Sequence, residues 1–343
     1  MFRAFTLALL LLAVTPACGV ADTRIGTWNL EHLSVRPNKD LQSIAKVARQ
    51  VDFLAIQELM NEDALSALAR ELTRQTGTRW SSMASHAVGR ASYKEMYGFI
   101  WRDDAVAYED GAVTYLDRGD RFEREPYSAR FKSLKDNTYF VAATVHILYG
   151  KGQADRASEI TALADYWAWL QATYAGTRHL LLMGDFNTPP ASASWGALGT
   201  RARPLVLTGA STLSAKNGQF ANLYDNIFVS QGSPLKANQV QVFNYPAYLK
   251  VTHAQGRASI SDHAPVFLTA NLAAGAPGPV AGASPAPSAP ATEGVVGNQK
   301  TKVYHLAHCP SYGAVSAKNR VNFASEADAI THHYRRAGNC HPG

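Results

Sequence analysis

An α/β fold is predicted by three observations: short apolar runs bounded by polar residues, helical apolar repeats set between them, and a Pro/Ala/Gly tract that divides the 343-residue chain. Ile25–Leu30 opens the series as a strand. Leu41, Ile44, Ala45, Val47 and Ala48 follow at the spacing of one helix face. Phe53–Gln57 is a second strand, and Leu65, Leu68, Ala69 and Leu72 mark a second helix. Gly98–Trp101 and Phe140–Ile147 are further strands; Ile160, Leu163, Ala164 and Trp167 mark a third helix. Leu180–Met183, Asn226–Val229 and Pro265–Thr269 complete the strands. Several runs are apolar at every position, which suits strands buried on both faces.

Composition places the chain among globular proteins: 46% of residues are hydrophobic and 17% charged, which excludes a disordered polyelectrolyte. The net charge of +6 suggests a polyanionic partner. Arg3, the apolar run Ala4–Val14 and the small residues Ala17–Ala21 have the order of a secretory leader, so residues 1–21 are expected to be a signal peptide and the protein to be secreted. The run is too short to span a bilayer. Lipidation of Cys18 is the alternative, but Thr15 stands where a lipid-modified cysteine usually has leucine. Removing Cys18 leaves Cys309 and Cys340 as an even pair in an oxidising compartment. Residues 273–297, almost all Ala, Gly, Pro and Ser, cannot offset their ordering entropy by burial and are expected to be a linker. It separates a domain at 22–272 from a small module at 298–343. That module holds six Lys/Arg against Glu326 and Asp328, so most of the basicity lies there.

Polar groups interrupt or end the apolar runs: Asn29, Gln57-Glu58, Tyr93-Lys94-Glu95, Thr144-Val145-His146, Gly184-Asp185-Phe186-Asn187, Asp225 and Ser261-Asp262-His263. A carboxylate beside a buried strand is costly unless it is paired or binds a cation. Taken singly, each has an ordinary structural reading as a turn residue, a cap or a satisfied core histidine. Taken in order, the set resembles the endonuclease/exonuclease/phosphatase family of metal-dependent phosphoesterases. Within it, Gly89–Tyr97, Arg124-Glu125-Pro126 and Tyr224-Asp225 look like the deoxyribonuclease I branch. Leu59-Met60 departs from that branch, which has a basic residue after Gln-Glu.

The resemblance implies a two-sheet sandwich flanked by helices and a monomeric enzyme hydrolysing DNA. It implies that Glu58 binds Mg²⁺ or Mn²⁺, with Asn29 and Asp262 completing the site directly or through water; a structural Ca²⁺ is compatible with it. His146 and His263 would serve as acid and base, oriented by Glu95 and Asp225, while Asp185 and Asn187 hold water and phosphoryl oxygen. Arg90, Tyr93 and Arg124 would contact the DNA backbone and minor groove. A secreted sphingomyelinase-like phosphodiesterase of the same fold is the alternative, and a catalytically silent DNA- or surface-binding protein a third reading.

The tail resembles the small zinc module of the Ada DNA-repair protein, whose four cysteines form two close pairs; here His305 and Cys309 occupy the first pair and Ala337 and Cys340 the second, so one ligand is missing. His333 or His341 could replace that ligand, but a Cys309–Cys340 disulfide needs no replacement and is the expectation.

Overall fold

Runs such as Phe53–Leu59 and His179–Asp185 are buried at nearly every position, which requires a layer against each face of their sheet. The computed structural model supplies those layers. It describes residues 22–35, 39–273, 295–306, 315, 319–323, 326–332 and 334–337. The expected leader, Cys18 and the Cys309–Cys340 pair lie outside the described residues, as does most of the expected linker. The chain divides into two compact units between Ala276 and Pro277.

The first unit begins with β1 (Thr23–Leu33), α1 (Leu41–Ala48), β2 (Phe53–Leu59), α2 (Glu62–Thr76), β3 (Trp80–Ala84) and β4 (Met96–Arg102). It continues through β5 (Val106–Thr114), β6 (Tyr127–Ser133), β7 (Thr138–His146), α3 (Gln153–Thr173), β8 (His179–Asp185), α4 (Gly196–Gly199), β9 (Ala202–Pro204) and β10 (Asp225–Ser230). β11 (Lys236–Val242), α5 (Tyr245–Leu249), α6 (His253–Ser259) and β12 (Val266–Asn271) close it.

Two six-stranded sheets result, ordered β11-β12-β1-β2-β4-β3 and β5-β6-β7-β8-β10-β9. They pack face to face over Phe53, Phe99, Phe131, Phe140, Leu181, Met183, Ile227 and Leu268. Helices cover the outer faces. Ile44, Val47, Leu65, Leu68 and Leu72 of α1 and α2 pack on the first sheet; Ile160, Leu163, Tyr166, Trp167 and Leu170 of α3 pack on the second. Asn61 caps α2, its side chain accepting from Ala64 N, and Gly77 ends it at φ +70°.

Polar ties join the sheets at both ends of this apolar layer. At one end the Asp52 carboxylate, fully buried, accepts from Arg24 N at 2.8 Å and Lys135 Nζ at 2.6 Å, with Arg102 Nη2 at 3.2 Å. Towards the other end, Gln57 Nε2 donates to Thr27 Oγ1 at 3.0 Å and to Thr144 Oγ1 of the opposite sheet at 2.8 Å.

The second unit contains β13 (Val295–Asn298), β14 (Val303–His305), β15 (Arg320–Phe323), α7 (Glu326–Thr331) and β16 (Arg335–Arg336), with sheet order β15-β13-β14-β16. Val295, Tyr304, Phe323, Ala329 and Tyr334 form its core. β13 takes in Val295–Gly297, which composition assigned to the linker. The correction has a simple cause: Val295 and Val296 have an apolar core to enter and are buried in it.

Candidate active site

Topology gathers the polar groups at one edge of the sandwich. β1 runs parallel to β2, and β7 parallel to β8, so each pair ends together; the antiparallel neighbours β4, β10 and β12 begin where those pairs end. Asn29, Glu58, His146 and Asp185 therefore arrive from strand ends, and Glu95, Asp225 and His263 from strand beginnings. Loops at the carboxyl ends of parallel strands are a recurrent place for sites.

The local backbone is bent to the purpose. Gly184 has φ +143°, and a Cβ there would lie 2.0 Å from Val145 O on the adjoining strand, which explains a glycine before Asp185. Glu31, His32, Glu58 and Asn187 all adopt positive φ, between 41° and 57°. Non-glycine residues in this region each cost about 1–3 kcal/mol and cluster at functional sites.

Two imidazole–carboxylate pairs face each other. His146 Nδ1 lies 2.8 Å from Glu95 Oε1, and His263 Nδ1 lies 2.7 Å from Asp225 Oδ2. Each pair straddles the sandwich. His146 ends a strand of the second sheet and Glu95 precedes one of the first; His263 precedes a strand of the first and Asp225 starts one of the second. Both Nε2 atoms stand 3.6 Å from Asp185 Oδ2. Burial and the Arg124 guanidinium oppose charge on His146, but the Glu95 and Asp185 carboxylates together raise the histidine above its ordinary value. Burial likewise opposes charge on His263, where Asp225 and Asp185 together raise it well above that value. Asp185, disfavoured by burial, is held below the carboxylate range by His263 and His146.

Second partners fix these groups. Ser211 Oγ donates to Asp225 Oδ2 at 2.6 Å, His146 N donates to Tyr97 OH at 2.9 Å, and Arg124 Nε donates to His146 O at 3.1 Å. Asn187 N donates to Asp185 Oδ1 at 2.9 Å. Asn29 Nδ2 donates to Glu58 Oε1 at 2.9 Å and Asp185 Oδ2 at 3.2 Å, while Asn29 Oδ1 accepts from Glu31 N. Asn29 thus turns N–H, not oxygen, towards the carboxylates. Asp262 Oδ1 lies 3.8 Å from His263 Nε2, and Arg257 Nη1 is 3.4 Å from Asp262 Oδ2.

A cavity of about 790 Å³ opens over this floor, lined among others by Glu31, Glu58, Tyr93, Arg124, His146, Asp185, Asn187, Asp262 and His263. Another, of about 460 Å³ along Leu205–Ala210, has no ionisable side chain in its lining. Tyr93 stands at the rim, its hydroxyl 3.3 Å from Glu95 Oε2, and Arg124 lies buried behind the His146–Glu95 pair. Arg90 is not brought to this cavity; its guanidinium binds Asp120 Oδ1 at 2.9 Å. Sequence reasoning did not single out Glu31, Tyr149, Arg156 or Ser211, of which Glu31 and Tyr149 line the cavity. Glu31 and Tyr149 had a signal, each lying two or three residues beyond a strand-ending polar group; Arg156 and Ser211 had none.

Three ligand atoms of Asp185, Asp225 and His263 lie within 4.8 Å of one another. His263 Nδ1 and Asp225 are already hydrogen-bonded, so a shared proton accounts for the closeness of those two.

Known proteins repeat this architecture and sequence. A deoxyribonuclease of Thioalkalivibrio sp. (strain K90mix) is 44% identical over 277 residues, covering 78% of this chain and 76% of that one. Deoxyribonuclease-1 of Oryctolagus cuniculus is 29% identical over 290 residues, covering 78% and 98%. The human Nocturnin catalytic domain with bound sulfate superposes with a TM-score of 0.53 at 13% identity, covering 73% and 94%, a likeness of fold. The model of the Endonuclease/Exonuclease/phosphatase family matches residues 26–263, spanning all the strand-end groups from Asn29 to His263, and the chain belongs to that family.

Proposed function

We propose that the protein is a secreted, divalent-metal-dependent endonuclease that hydrolyses DNA phosphodiester bonds. The observation that carries this reading is the pair of carboxylate-bound histidines whose Nε2 atoms both face Asp185 across the cavity floor. The deoxyribonuclease relatives supply the substrate class.

The residues suit a hard cation. Glu31 Oε2 is buried with no hydrogen-bond partner among the described residues, and Glu31, Glu58, Asp185 and Asp262 line one cavity. Oxygen donors of this kind select Mg²⁺ or Mn²⁺. Glu58 would be the principal ligand, Asp262 would join it directly or through water, and Asn29 would hold Glu58 in place. When bound, the cation supplies Lewis-acid polarisation of a phosphoryl oxygen.

The chain's own groups handle the protons. With Nδ1 turned to its carboxylate, each histidine presents Nε2 to the cavity. One Nε2 takes a proton from the attacking water, and the other gives one to the departing sugar oxygen. Asp185, hydrogen-bonded by Asn187 N and Asn29 Nδ2, orients the water between them. Asn187, at the cavity floor, would meet a phosphoryl oxygen, and Arg124, buried behind the His146–Glu95 pair, would add positive charge beside it.

Single substitution of His146, His263, Asp185 and Glu58, assayed by Mg²⁺-dependent nicking of supercoiled plasmid, tests the assignment; near-native nicking by any two variants refutes it. Comparison of plasmid DNA, RNA, sphingomyelin and an inositol phosphate tests the substrate. Lipid cleavage without nicking replaces the nuclease by the sphingomyelinase-like reading.

A further inference from the structure

Tyr149 is 61% exposed, whereas the next most exposed aromatic residue among those described, Tyr248, is 42% exposed. A single exposed ring needs no explanation in itself. This one lines the cavity that holds His146 and Asp185, and it is braced. The Arg156 guanidinium lies 4.6 Å from the centre of its ring and 5.5 Å from that of Tyr224. Arg156 Nε donates to Tyr149 O at 2.7 Å; Nη1 donates to Asn187 O at 2.5 Å and to Tyr224 OH at 3.3 Å.

Arg156 is only 7% exposed, and it takes part in no ion pair among the described residues. A guanidinium buried without a carboxylate is costly unless its N–H groups and faces are occupied. Here they are occupied by two carbonyls, a phenol and two rings. The structural result is a tyrosine with one face held against a fixed cation and much of its surface open to solvent. The same guanidinium ties that ring to Asn187, two residues from Asp185.

We propose that the open face of Tyr149 is a nucleobase-stacking subsite, which makes an unpaired base beside the scissile phosphate part of what this site recognises. The inference rests on the nuclease reading above and specifies its substrate. A flat, rigid ring with one free face matches the face of a base, and stacking of this kind is tolerant of base identity. Within a duplex both faces of a base are covered, so the subsite selects single-stranded or locally opened DNA.

The test uses a single-stranded tetranucleotide with one phosphodiester, its other linkages being methylphosphonates. Two analogues carry an abasic sugar on the 5′ or the 3′ side of the cleavable bond. kcat/KM is measured with Mg²⁺ for wild type, Tyr149→Ala, Tyr149→Leu and Tyr149→Trp, with melting temperatures recorded for each. Loss of one stacked base is worth about 5- to 150-fold. Tyr149→Ala and Tyr149→Leu are expected to lose that factor on the intact substrate, and Tyr149→Trp to keep the wild-type rate. Wild type is expected to lose the same factor on one abasic analogue, on which the Ala variant loses nothing more. Multiplying losses, or a wild-type kcat/KM in both Ala and Leu variants, overturns the subsite. Wild type that cleaves neither the tetranucleotide nor plasmid overturns the nuclease reading; wild type that cleaves with no dependence on Tyr149 overturns the subsite alone.

Discussion

Replacing Gly184 by alanine separates the geometry of the site from its chemistry. The new Cβ would stand 2.0 Å from Val145 O, where ordinary contact begins at 3.4 Å, and that carbonyl belongs to the backbone of a central strand. The φ of +143° adds a conformation that L-residues rarely adopt. Backbone strain of about 1–3 kcal/mol and overpacking of about 1–3 kcal/mol combine to about 2–6 kcal/mol. For a unit of this size that lowers the melting temperature by about 5–20 °C. Relief requires β7 and β8 to part by more than an ångström. The next register pair is His146 with Asp185, so the parting falls on the two groups that face each other across the floor. A misplacement of that size costs about 10²-fold in rate. Plasmid nicking and thermal melting on the purified variant, with circular dichroism to confirm retained secondary structure, measure both effects. A Gly184→Ala protein that melts and nicks like wild type refutes the reasoning.

Three further predictions concern separate parts of the molecule. Asp52, disfavoured by burial but held below the carboxylate range by Lys135 and Arg24, stabilises the fold fully above the unfolded value of about 3.9, and that contribution is lost as pH falls through its lower folded value. Asp52→Asn is expected to cost about 3–5 kcal/mol near pH 7 by denaturant unfolding, with a smaller fall in stability between pH 6 and pH 2 than wild type; equal pH slopes count against it. Glu95→Gln removes the partner that raises His146 and is expected to slow nicking by about 10²–10⁴-fold, while Glu95→Gln with His146→Ala is no slower than His146→Ala alone. Removal of residues 298–343, with their six Lys/Arg against two acids, is expected to flatten the salt dependence of DNA binding more than it lowers turnover; an unchanged slope refutes that division of labour.

The central strands were legible because they are apolar. β1, β2, β4, β7, β8, β10 and β12 each overlap an apolar run read from the sequence, with ends displaced by a few residues at most. β5 and β11 were not legible because they lie at sheet edges with exposed residues such as Glu109, Lys236 and Gln239, so no buried stripe marks them. β6 alternates Arg130 and Lys132 with buried neighbours, a period-two signal too short to stand out. The first turns of α3 were not visible because they carry buried Arg156 and Glu159, which a hydrophobic pattern cannot report. The histidine–carboxylate partners are 51 and 38 residues apart in the chain, and their order was readable only through a family likeness. The contacts of Asn29 and Arg90 follow from side-chain packing, which no sequence pattern encodes.

Because each histidine draws its carboxylate from the opposite sheet, the proposed mechanism makes turnover a gauge of how the two sheets are seated on one another. A chain with both sheets formed but slipped by a fraction of a residue keeps its circular dichroism and loses both pairs at once. In refolding, nicking activity is therefore expected to return with the last docking step, and to lag the recovery of β-structure whenever the two are separable in time. β11, reached only after the whole second sheet has been built, returns the chain to the first sheet, and His263 follows it just ahead of β12. A ribosome-bound chain stopped short of residue 263 lacks His263 and cannot form the second pair, so on the proposed mechanism it is expected to be inactive until nearly all of the catalytic unit has been made.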